Sequence, residues 1–121
     1  MKITIRNGNP IIKNIKIVDE KNVKYNGTTY IFYDFLCKLA TEIYPFMKFK
    51  VLVPSYTDYN MRINCTYKGH EKIVVRTLPN DDLIIDKEYI LKKINQMIEN
   101  IDNFIDGVDG VNYIIVNIED N

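Results

Sequence analysis

The chain has 121 residues, 46% of them apolar, 26% charged and 12% aromatic, with 16 Lys/Arg balancing 16 Asp/Glu. One domain suits this length, and the apolar share excludes wholesale disorder. The balanced charge excludes a uniformly basic protein that would hold nucleic acid or an anionic membrane by bulk attraction.

Residues 2–6 alternate, Ile3 and Ile5 against Lys2, Thr4 and Arg6, which predicts a half-buried strand. Asn7-Gly8-Asn9-Pro10 is turn chemistry, and Ile15 and Ile17 around Lys16 predict a second strand over 11–18. Asn26-Gly27 separates two β-prone runs. A type I′ turn needs positive φ at both central residues, which this dipeptide tolerates best, so a tight hairpin with Tyr25 opposite Thr28 is expected. The period then changes: Phe32, Phe35, Leu36, Leu39 and Ile43 form one helical stripe, which Pro45 ends.

Three alternating strands follow. Phe49, Val51 and Val53 oppose Lys48, Lys50 and Leu52, up to Pro54. Met61, Ile63, Cys65 and Tyr67 oppose Arg62, Asn64 and Thr66, and Ile73, Val75 and Thr77 oppose Lys72, Val74 and Arg76. With a turn over residues 68–71 this reads as an antiparallel meander with one wet face. Asp86 suits the N-cap of a second helix marked by Ile90, Ile94, Met97, Ile98, Ile101 and Ile105, with Gly107 at its C′ position. Residues 111–118 are apolar on both faces, as in a central strand. The expectation is a single α+β domain over 1–121: an antiparallel sheet of N-terminal strands and hairpin, three-stranded meander and C-terminal central strand, with two helices packed on one face.

The α-β-β-β-α order across 32–106 resembles that of double-stranded-RNA-binding domains, in topology alone. Asp86-Lys87-Glu88 opens the second helix where that family places its lysine cluster, and Lys92 and Lys93 fall a turn later.

The start lacks the apolar core of a signal peptide, and no run approaches the roughly 20 apolar residues that span a bilayer. A cytoplasmic protein without membrane contact is expected, with Cys37 and Cys65 as reduced core residues. The bias toward Ile, Asn, Lys and Tyr, with Lys over Arg by 13 to 3, follows A/T-rich codons and points to an A/T-rich genome, of a bacterium or its phages and mobile elements.

Catalytic constellations are sparse. A nucleophile–base pair must come from Ser55, Cys37, Cys65 and His70, and the strand pattern puts Cys65 on an apolar face but His70 in a turn. Structural zinc takes about four Cys or His ligands, against two Cys and one His in the whole chain. Residues 102–113 fail as a calcium loop, since Phe104 and Tyr113 stand at ligand positions. Asp81, Asp82 and Asp86 read as a turn and a helix cap. No cofactor is expected and no catalytic or metal-ligating residue is assigned.

Charge is distributed more tellingly. Residues 1–60 carry nine Lys/Arg and five Asp/Glu, and residues 61–121 carry seven and eleven, so the balance is a cancellation. Strand alternation places Lys48, Lys50, Arg62, Lys72 and Arg76 on one basic sheet face, with Tyr56 and Tyr59 on the adjoining loop. Asp102, Asp106 and Asp109 begin an acidic end, with no Lys or Arg after Lys93. The expected function is non-enzymatic protein–protein recognition, as an inhibitor, adaptor or accessory factor. The alternatives are nucleic-acid binding through the basic face and binding of a small nucleotide ligand. Opposite patches and free sheet edges also allow a homo-oligomer.

Overall fold

A computed structural model describes residues 2–4, 10–52, 61–77, 84–105 and 113–119. The elements are β1 (Lys2–Thr4), β2 (Pro10–Ile17), β3 (Asn22–Tyr25), β4 (Thr28–Ile31), α1 (Phe32–Ile43), β5 (Lys48–Leu52), β6 (Arg62–Tyr67), β7 (His70–Arg76), α2 (Lys87–Phe104) and β8 (Tyr113–Glu119). The fold is α+β with two helices and mostly antiparallel strands, in the expected order. Gly107 lies outside the described residues.

The strands form two sheets instead of one. Five strands run in the order β1-β8-β2-β3-β4 and three in the order β5-β6-β7. Strand β8 is internal, as its two apolar faces imply. It runs antiparallel to β1 and parallel to β2, in register from Pro10↔Tyr113 to Lys16↔Glu119. A parallel pair needs a long crossover, and everything from β3 to α2 supplies it. Alternation reveals which face of a strand is buried, but not which strand lies beside it.

Local chemistry sets the turns and caps. Asn26 and Gly27 adopt φ 51° and 80°, and Tyr25 pairs with Thr28. Lys68 and Gly69 repeat the geometry at φ 51° and 79°, so the second hairpin turns on two residues with Tyr67 opposite His70. The Asp86 carboxylate accepts from the Tyr89 N–H at 2.7 Å and caps α2.

The helices fill the core. Helix α1 buries Phe32, Tyr33, Phe35, Leu36, Leu39, Ala40 and Ile43, and α2 buries Ile90, Lys93, Ile94, Met97, Ile98 and Ile101. Ring contacts tie the elements together: Tyr25 to Phe35 at 5.4 Å, Phe32 to Tyr89 at 5.7 Å, and Tyr67 to Phe104 at 6.2 Å. At the base of β6 and β7, the Met61 N–H donates to Thr77 Oγ1 and the Thr77 N–H to the Met61 carbonyl, at 2.7 and 2.9 Å. Among the described residues no helix is long and apolar enough to cross a membrane.

A polar tie joins the large sheet to α1. Glu42 accepts from the Tyr25 hydroxyl and, at 3.0 Å, from Lys13 Nζ. Burial pushes the Glu42 carboxyl up, but these two donors outweigh it and hold the group below its ordinary value of 4.5.

Two predictions follow from these contacts. A lysine in the left-handed region is strained, and a β-carbon on Gly69 would meet the same penalty despite the open space around it. In thermal denaturation, Lys68→Asn stabilises by about 0.5–1 kcal/mol and Gly69→Ala destabilises by about 1 kcal/mol. Because the folded Glu42 carboxyl titrates below its unfolded value, its contribution is present above that value and is lost as pH falls through the folded one. Glu42→Gln therefore lowers the melting temperature at neutral pH and makes its fall in acid shallower.

Candidate functional site: the outer face of the small sheet

The β5–β6–β7 sheet has unlike faces. Ile63, Cys65 and Val75 are buried on the helix side, and Phe49 and Val51 lie half-buried opposite Cys65 and Ile63. The opposite face is built from three rows read off the pairing: Lys48–Thr66–Glu71, Lys50–Asn64–Ile73 and Leu52–Arg62–Arg76. Lys48, Lys50, Arg62 and Arg76 thus share one face, as the alternation implies.

Lys72 leaves this face, which corrects its sequence-based placement. The partner of β6 jumps from Val75 at Ile63 to Ile73 at Asn64, so Val74 is an extra residue, a β-bulge. The bulge inverts the alternation below it. Ile73 turns outward beside Asn64, while Lys72 sits opposite Cys65, with its Nζ 5.9 Å from the centre of the Phe104 ring. Both Val74 and Val75 are buried. Two valines in succession conceal the bulge, because either fits an inward position.

The bulged edge is sealed by α2. Asn100 Nδ2 donates to the Val74 carbonyl at 2.9 Å, and Lys93 Nζ donates to the Arg76 carbonyl at 2.8 Å. Lys93 is only 4% exposed, a burial that its place among the helix cations does not announce.

Arg62 and Arg76 stand directly opposite each other. Like charges so placed destabilise a sheet. Glu71 is the one acid in the three rows, and it shares its row with Lys48 at the far end. In the middle of the face the Arg62 Nε and Asn64 Oδ1 atoms are buried without a hydrogen-bond partner. Among the described residues the face therefore holds unmet positive charge and unmet hydrogen-bonding capacity.

Tyr56, Tyr59, Asp106 and Asp109 lie outside the described residues. Asp102 accepts from the hydroxyl of buried Tyr44 at 3.0 Å, which ties α2 to the end of α1. Burial pushes the Cys37 thiol up to about 12, helped by the nearby Asp34 charge, and the Cys65 thiol to about 11, so both are poor nucleophiles near neutrality. His70 is exposed where β7 begins. Among the described residues no group of three or more His, Cys, Asp or Glu could hold a metal ion.

A pocket of about 160 Å³ lies elsewhere, lined by Lys21, Ile31, Phe32, Tyr33, Met61, Ile85 and Tyr89. It is below the roughly 300–1,000 Å³ typical of small-ligand sites, whereas open depressions of about 370 Å³ beside Lys16, Lys24 and Glu119 and about 500 Å³ over residues 19–22 fall within that range. Comparison of the chain with protein-family models, with curated protein sequences and with solved structures finds no match.

The seal on β7 is testable by urea denaturation. Asn100→Ala leaves the Val74 carbonyl without its side-chain donor and costs about 1–2 kcal/mol, whereas Lys92→Ala, on the exposed side of α2, changes stability by less than about 0.5 kcal/mol.

Proposed function

We propose that the chain is a non-enzymatic binding protein that recognises another protein through the cationic outer face of β5–β6–β7. The observation that carries this reading is the opposition of Arg62 and Arg76, with Lys50 one row away. A fold that keeps like charges directly opposite each other on a sheet carries a cost that an acidic partner would relieve. Raised thiol pKa values support a binding role over nucleophilic catalysis.

Arg76→Glu separates stability from binding. Opposite Arg62 the new carboxylate makes a favourable cross-strand pair, so the free protein is stabilised by about 0.2–1 kcal/mol. Capture from the host extract with wild-type bait yields a partner that the Arg76→Glu bait fails to hold. Oligonucleotide binding that weakens steeply between about 50 and 200 mM salt, and is lost in the same variant, would transfer the face to nucleic acid.

A further inference from the structure

The two edges of the small sheet are treated differently. On β7, side chains of α2 occupy the outward carbonyls of Val74 and Arg76. On β5, no strand lies beyond among the described residues. The pairing shows which groups this leaves open. Tyr67 and His70 flank a two-residue turn and are the hydrogen-bonded pair of that hairpin. Main-chain groups alternate sides along a strand, so Arg62, Asn64 and Thr66 direct theirs toward β5, where Leu52, Lys50 and Lys48 meet them. Phe49 and Val51 therefore turn their N–H and C=O groups away from the sheet. Both residues are half-buried, and among the described residues no turn or loop hydrogen bond takes up these outward groups.

The open groups alternate with the exposed side chains of Lys48 and Lys50. From the start of β5 the edge presents ammonium, amide pair, ammonium, amide pair. These lysines disfavour pairing between two copies of β5, since lysine would meet lysine. They favour an incoming strand with carboxylates at alternate positions, whose side chains would lie about 5 Å from the lysines across the new ladder. Arg62 and Arg76 extend the positive field behind them.

We infer that an extended acidic segment of the partner protein adds to β5 as a fourth strand. Its main chain would bond Phe49 and Val51 and its acids would face Lys48 and Lys50. The inference rests on the proposed recognition of a protein by this face and specifies how that recognition occurs.

The probe is a fluorescein-labelled peptide of alternating glutamate and valine. Its control carries N-methyl groups on the residues that would bond β5. The wild-type protein should bind the peptide, with slowed hydrogen exchange at the Phe49 and Val51 amides. Lys50→Glu and peptide N-methylation should each weaken binding by about tenfold or more. Val51→Pro removes a donor that β6 does not use and should weaken binding similarly, with an unchanged far-UV spectrum confirming the fold. Equal binding of the methylated peptide, or loss on Lys50→Glu without protection of the two amides, overturns strand addition and leaves charge recognition by the face standing. Peptide binding that Lys50→Glu does not alter, or no binding at all, overturns strand addition. Loss of both peptide binding and the Arg76-dependent partner overturns the two readings together.

Discussion

Burial of one face of β5–β6–β7 against the helices governs what the rest of the molecule displays. Ile63, Cys65 and Val75 go inward, so the intervening positions must emerge on the opposite side, and Lys48, Lys50, Arg62 and Arg76 emerge together. The cationic face follows from core packing under a period of two. Its one exception, Lys72, has a local cause: one surplus residue at Val74 reverses the alternation.

The large sheet supplies the frame. Its central parallel pair joins a strand near the start of the chain to the last one described, and both helices lie within the crossover. Helix α1 is bound to this sheet by the Tyr25–Phe35 ring contact and by the Lys13–Glu42–Tyr25 tie. Helix α2 closes the β7 edge, and among the described strands β5 has no neighbour on its other side. The presentation of the candidate face thus depends on side chains distant from it in sequence.

Local features were legible. Asn26-Gly27 specified its turn, the apolar stripes specified both helices, and Asp86 specified a cap. Long-range choices were not. The division into two sheets and the parallel β2–β8 pair depend on which strands meet, and hydrophobic period carries no such information. The bulge was hidden by adjacent valines, and the burial of Lys93 depends on a carbonyl 17 positions away. Four of the five cations assigned to the basic face are found there, because alternation alone decides them. The sequence places Asp102 in the acidic end but gives no sign of its Tyr44 partner, which lies 58 residues earlier.

Zero-length carbodiimide cross-linking of the protein to its captured partner tests the central claim most directly, because it joins lysine amines only to carboxylates in contact with them. Mass spectrometry should locate the cross-links at Lys48 and Lys50, to acidic residues of the partner. Cross-links confined to Lys16, Lys24 or Lys92, with Lys48 and Lys50 unmodified, would contradict the assignment of the outer face of the small sheet as the contact surface.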